Sequence, residues 1–221
     1  MTTSRTKIEK ATAGTAEVRT FSSNDELVEE RREQIARAAQ QLLLKRGIQK
    51  TGIREIARAS NMTIGNLYHY IGKREDIIFL ALNYGIAQYR NVLKEINDRC
   101  DTMAPVEALA WAMDRYYRYQ HEERVGTAFT FREMSSFDPA LYEILVETEA
   151  ATNDVFERIL KRGCSHGVFI ISSTILVANM ITTMAEMWAV KRFVYKKRYT
   201  LDEYIKLNTE MILRQICTVP K

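Results

Sequence analysis

Three histidines, His69, His121 and His166, and three cysteines, Cys100, Cys164 and Cys217, are the residues best suited to covalent or metal chemistry, and their spacing supports neither. No His-Glu-x-x-His run, nucleophile elbow or phosphate-cradling glycine loop surrounds them, so catalysis is set aside and no cofactor or metal is expected. The thiols are scattered and odd in number, unlike a zinc site or a secreted disulfide framework, and read as thiols of a reducing cytosol. His121-Glu122-Glu123 reads as a solvated helix end. The polar set that does carry chemistry is of another kind. Thr63, Ile64, Gly65, Asn66 and His69 can face outward together at the start of a short helical stretch. A helix with that face fits the major groove of DNA, where its N-terminal residues meet base edges. Gly65 weakens the helix, which close approach to DNA explains and a generic small bundle does not.

Positioning that face requires a short companion helix, a tight turn and an apolar underside. Ile53 to Ala59 supplies the companion, Ser60-Asn61-Met62 the turn, and Thr63 to Tyr70 the second helix, with Ile53, Ile56, Ala57, Met62, Leu67 and Ile71 turned inward. Pieces this short need a shared core. A preceding helix from Asn24 or Asp25, with Ile35, Ala38, Ala39, Leu42 and Leu43 at three- and four-residue spacing and Gly47 as its stop, provides one. Residues 1–24 read as a flexible arm, 25–73 as the DNA-binding unit and 74–221 as a larger helical body. Residues 1–74 hold 14 basic and 8 acidic side chains, whereas the rest hold 18 and 20, so positive charge gathers where a polyanion would be met.

The body opens with a long helix from Arg74 to about Arg99. Further helices are expected near 104–121, 124–134, 138–162, 172–197 and 201–218. Asp138-Pro139 is a start signal, Gly163 and Gly167 a stop, and Thr200 with Glu203 has capping-box spacing. No stretch alternates as a sheet, so the fold class is all-α. The apolar run 168–190 is interrupted by Ser172, Ser173, Thr174, Asn179, Thr182, Thr183 and Glu186, which suits a helix buried in protein and not one in lipid. With a polar N-terminus lacking an apolar signal core, a cytoplasmic protein without a membrane partner is expected.

Residues 30–80 closely resemble the N-terminal domain of the TetR family of bacterial ligand-responsive regulators. The resemblance rests on Ile56-Ala57, the turn Ser60-Asn61-Met62, the string Leu67-Tyr68-His69-Tyr70-Ile71 and Arg74-Glu75. The length and the all-helical remainder extend it in architecture over nearly the whole chain. Gly52 departs from the usual Thr or Ser cap, Asn61 from a turn glycine, Ile71 from a frequent aromatic, and Asn66 from the commoner Thr or Ser. The resemblance implies a role for Arg54 at a base or nearby phosphate, and for Thr63, Ile64, Gly65 and Asn66 against the bases. Asn66 would suit adenine and Ile64 a thymine methyl. It further implies Tyr68, His69 and Arg74 as clamps on the phosphate backbone.

For the body, the resemblance implies a homodimer on a palindromic operator, paired through the last two helices. Ile175, Met180, Met184, Met187, Tyr204, Leu207, Met211 and Ile212 are the candidate interface, although burial within one subunit explains half of them equally well. It also implies an effector pocket among the middle helices, with Tyr89, Trp111, Tyr116, Tyr119, Phe129, Arg132, Met134, Phe156, Asn179 and Trp188 as candidates. Each is otherwise ordinary core or helix surface. The body resembles relatives that sense fatty acyl-CoA or other CoA thioesters, with drugs, aromatic compounds and other apolar metabolites as alternatives. A repressor released by its effector is the leading expectation. An activator of the same fold, or a helical interaction protein without specific DNA binding, are the alternatives.

Overall fold

The computed structural model describes residues 25–137 and 139–217. The expected arm over 1–24, and Asp138 of the expected Asp-Pro start, lie outside the described residues. Ten α-helices follow one another among the described residues: α1 (Asp25–Arg46), α2 (Ile53–Ala59), α3 (Ile64–Tyr70), α4 (Arg74–Cys100), α5 (Pro105–Glu122), α6 (Arg124–Glu133), α7 (Pro139–Ser165), α8 (Thr174–Val190), α9 (Arg192–Tyr195) and α10 (Leu201–Ile216). A single 3-10 turn, Met134–Ser136, follows α6, and an isolated antiparallel bridge joins Phe169 to Cys217. The all-α expectation is met.

Local chemistry sets the ends of the short helices. Gly52 precedes α2 in extended backbone, and its N–H donates to Glu55 Oε2 at 3.3 Å, so the glutamate supplies the partner a glycine cap cannot. Ser60 closes α2 by donating its hydroxyl to the Ile56 carbonyl at 2.8 Å. Asn61 then turns left-handed at φ 54°, a conformation asparagine tolerates better than other residues with a Cβ. Thr63 caps α3 by accepting the Asn66 N–H at 3.1 Å, and Asp76 accepts the N–H groups of Gly72 and Lys73 at 2.9 and 2.8 Å ahead of α4.

Two apolar cores result. The first gathers Ile35, Ala39 and Leu43 of α1, Ile56 and Ala57 of α2, Leu67 of α3, and Ile77 and Ala81 of α4. The second holds the body together through Met113 and Tyr116 of α5, Phe156 and Leu160 of α7, Ile181 of α8 and Ile212 of α10. Helix α4 belongs to both, since its later residues Val92, Leu93, Ile96 and Cys100 enter the second core. Phe129 of α6 enters the first, so the body reaches under the head.

Three expected boundaries need correction. Gly163 does not stop its helix; α7 runs on to Ser165 and the left-handed residue is Gly167, at φ 68°. Gly163 is instead the seat of the Phe169 ring, so close that a Cβ there would lie 1.9 Å from it. The single helix expected over 172–197 ends at Val190, and α9 folds back after Lys191. In a straight helix residues seven apart are about 10 Å apart along the axis, yet the Trp188 and Tyr195 rings lie near-parallel at 6.3 Å, which the break permits. The last helix stops at Ile216, where the carbonyl accepts the Ile170 N–H at 2.7 Å and the chain turns extended.

Candidate nucleic-acid interface and effector cavity

On the head, α3 buries Leu67 and exposes Thr63, Ile64, Gly65, Asn66, Tyr68 and His69 on one side. A Cβ at Gly65 would meet nothing within 4 Å, so the fold itself does not require glycine there. Arg54 is exposed on the neighbouring α2. Arg74 is placed differently from a free clamp: its Nη2 donates to the carbonyl oxygens of Ile48 at 2.7 Å and Thr51 at 3.2 Å, tying the α1–α2 loop to the start of α4. Both bonds come from the one nitrogen, and the guanidinium carries further N–H donors besides. The six outward residues at α3 and Arg54 on α2 are thus all accessible, and Arg74 braces the loop that precedes α2.

A cavity of about 630 Å³ lies beneath the head. Gln40, Leu43 and Leu44 of α1 form one wall, and residues of α4, α5, α6 and α7, with Glu186 of α8, the others. Of the ten expected pocket residues, Tyr89, Tyr119, Phe129 and Met134 line it. The remaining six do not. Tyr116 is fully buried behind the wall, accepting from Gln120 Nε2 at 2.9 Å and from the Tyr89 hydroxyl at 3.2 Å, and Phe156 sits edge-on to it. Trp111 packs under the Arg99 guanidinium, 4.7 Å from its ring centre. Arg132 is exposed and pairs with Glu133 at 2.8 Å. Asn179 faces outward on α8. Trp188 is buried, donating from Nε1 to His121 Nδ1 at 2.8 Å, which gives that histidine a structural partner while Glu122 and Glu123 stay exposed at the helix end.

Sequence reasoning missed the contribution of α1, the aromatic rings of Phe131, Phe137 and Tyr142, and above all Glu149 and Glu186. The carboxyl groups of these two glutamates hydrogen-bond to each other in the wall. Burial, and then the Glu149 charge, push the Glu186 carboxyl up to about 8; burial raises Glu149 as well, against the hydrogen bonds from Glu186 and Asn153. An acidic residue inside the apolar run 168–190 was the available signal. The thiols take no part: burial lifts Cys100 to about 11, and all three cysteines are free.

The expected dimer residues divide into three groups. Ile175 and Met180 of α8, and Leu207 and Met211 of α10, face solvent, as does Leu176 at 65% exposure. Tyr204 and Ile212 are interior to their own subunit, where the Tyr204 hydroxyl donates to the Met184 carbonyl at 2.8 Å. Met184 and Met187 are half-buried.

A reading head with an outward short helix, sharing a cavity wall with a helical body, is the build of a ligand-responsive DNA-binding regulator. The chain belongs to the TetR family: residues 35–81 match the model for bacterial regulatory proteins of the tetR family, and residues 102–215 that for the tetracyclin repressor-like C-terminal domain. It is 29% identical over 203 residues to the HTH-type transcriptional regulator HbdR of Aromatoleum sp. (strain CIB), covering 91% of this chain and 87% of that one. Among solved structures it is similar to a bacterial regulatory protein of the tetR family from Rhodococcus RHA1 (TM-score 0.68, 20% identity, 86% of this chain and 99% of that one). It is also similar to AibR in complex with isovaleryl coenzyme A and operator DNA (TM-score 0.67, 22% identity, 84% and 99%). Members of the family are regulators and not enzymes, and among the described residues no helix is long and apolar enough to cross a membrane.

Proposed function

We propose that the protein is a homodimeric repressor that binds a palindromic operator through α3 and leaves it when a small apolar or acyl-type effector fills the cavity. The observation that carries this reading is the shared wall: Gln40, Leu43 and Leu44 belong to the helix that supports the head, yet line the cavity of the body. A ligand seated there contacts both units, so it favours whichever spacing of the two heads accommodates it, and that differential affinity is what couples the sites. Thr63, Ile64, Gly65 and Asn66 meet bases, Arg54 reaches a base or the adjacent phosphate, and Tyr68, His69 and Arg74 hold the backbone. The solvent-facing Ile175, Leu176, Met180, Leu207 and Met211 cover one another across the two-fold axis, while Tyr204 and Ile212 serve the core behind them. AibR, with a thioester and DNA in one structure, illustrates both functions on this fold. A CoA thioester would place its acyl part here and its phosphates outside, away from Glu123, Glu149 and Glu186.

Selection of bound sequences from a random duplex pool with the full chain tests the reading. The expected result is an inverted repeat with half-sites about one helical turn or a multiple apart. Two chains should occupy each site, and fatty acyl-CoA or simple aromatic probes should release it. No sequence enrichment would leave a helical interaction protein, and enrichment without release by any probe would remove the effector.

A further inference from the structure

The cavity wall is chemically lopsided. Among the described residues that line it there are rings from Tyr89, Tyr119, Phe129 and Phe131, three carboxyl groups, and no lysine, arginine or histidine. Three of its hydroxyl groups are bonded from within. Tyr89 bonds Tyr116 and Thr152 at 3.2 and 2.5 Å, Thr127 donates to Gln120 at 2.7 Å, and Thr148 donates to the Ile144 carbonyl at 2.7 Å. Glu149 and Glu186 differ in kind, since they are carboxyl groups inside an apolar lining. Asn153 spends its Oδ1 on the Thr182 hydroxyl, at 3.1 Å, so its amide N–H group is the part that bonds Glu149. That favours an ionised Glu149 and leaves the shared proton with Glu186, a pair carrying one negative charge with acceptor oxygens to spare. An alkyl or unsubstituted aryl group against it would strip away water and give nothing back.

We infer that the effector carries a hydrogen-bond donor, a hydroxyl or an ammonium, on an apolar body, and that this donor seats against Glu149 and Glu186 between α7 and α8. The inference rests on the cavity being the effector site. The titratable groups that share the lining with the pair are Tyr89 from α4, Tyr119 from α5 with Glu123 beyond it, and Tyr142 from α7, while Tyr116 lies behind the wall; α1 and α6 present none among their lining residues. Burial keeps the Tyr89 and Tyr116 hydroxyls neutral, so they add no compensating charge. An ammonium would draw the Glu186 proton off to solvent, whereas a hydroxyl would donate to the pair and leave its proton in place.

Three probes of nearly equal size separate these cases: phenylbutanol, phenylbutylamine and pentylbenzene, titrated calorimetrically into the full chain. One or both donors should bind about tenfold more tightly than pentylbenzene, the scale of one hydrogen bond to a charged acceptor. Phenylbutylamine should release a proton on binding and gain affinity between about pH 6 and pH 8, whereas phenylbutanol should do neither. In a Glu149→Leu, Glu186→Leu variant the order should invert. Equal binding of all three to the wild-type protein overturns this inference alone, and so does an unchanged order in a folded variant. Binding of none overturns the cavity as effector site, and this inference with it.

Discussion

The Arg74 guanidinium donates to the Ile48 carbonyl oxygen at 2.7 Å, bridging the end of α1 to the first residue of α4 across the base of the reading head. A second bond from the same nitrogen, to Thr51 at 3.2 Å, fixes the loop from which α2 begins. The residue that the family resemblance assigns to the phosphate backbone is thus also a strut. Arg74→Ala should lower stability by roughly 1.5–3 kcal/mol, as for hydrogen bonds from a charged donor. It should weaken binding to every duplex, and thermal melting beside a salt titration separates the two effects. Loss of a phosphate contact lowers the slope of log K against log salt by about 0.9, whereas loosening of the head alone leaves the slope unchanged. The expected outcome is both: a lower melting temperature and a shallower slope.

Asn66 offers the opposite case. Its backbone N–H caps onto Thr63 at 3.1 Å while the residue stays exposed on the outer face of α3. Asn66→Ala should leave the stability unchanged within about 0.5 kcal/mol, the usual range for a surface substitution. Binding to the selected operator should weaken by about 1–3 kcal/mol at each base position that the amide reads, with little change on random duplex. Equal losses on both duplexes would remove Asn66 from base readout. Competition binding at a single fixed salt concentration decides it.

Much of this head was legible because its signals are local. Ser60-Asn61-Met62 declared a turn, and the left-handed Asn61 is where the turn needs it. Ile56, Ala57 and Leu67 declared an inward face and are buried. The cavity was less legible because its walls come from helices far apart in sequence. Large aromatic residues were expected to mark it, yet Tyr116, Phe156 and Trp188 went into the core, where apolar area has most to gain from burial. Leu43 and Leu44, on a helix assigned wholly to the head, line the cavity instead. Arg132, also expected in the pocket, is exposed and pairs with Glu133. Gly163 misled for a related reason. Its meaning was a contact with Phe169, six residues on, and not a backbone angle.

That contact yields a packing prediction. A methyl group at position 163 would overlap the Phe169 ring, and the ring is buried between α7 and the end of α10. Gly163→Ala should therefore destabilise the body by about 1–3 kcal/mol despite the better helix propensity of alanine, because overpacking displaces a ring that has no free space to enter. Chemical denaturation gives the value. A companion Phe169→Leu substitution should recover part of it, and simple additivity of the two losses would show that the residues do not share a contact.

The last prediction concerns acidity, where two groups pull in opposite directions. His121 accepts the Trp188 indole proton at 2.8 Å, and burial, with Arg124 and Arg192 nearby, holds its imidazole below the usual range. Its stabilising contribution is complete above the ordinary imidazole value near 6.5 and is lost as pH falls through the depressed one. Glu186 behaves inversely. Its carboxyl is raised from the usual 4.5 to about 8, so the folded protein holds a proton that the unfolded chain gives up, and stability falls as pH rises through that window. Glu186→Gln removes the ionisable group while keeping its size, and should raise the melting temperature of the ligand-free protein more at about pH 8 than at about pH 5. His121→Gln should instead flatten the loss of stability on the acid side and leave the alkaline side alone. Melting curves across pH for the wild type and the two variants check both signs. A Glu186→Gln gain that is the same at every pH would mean that the carboxyl is not held protonated in the wall, and a loss in place of the gain would mean that its charge is already compensated there.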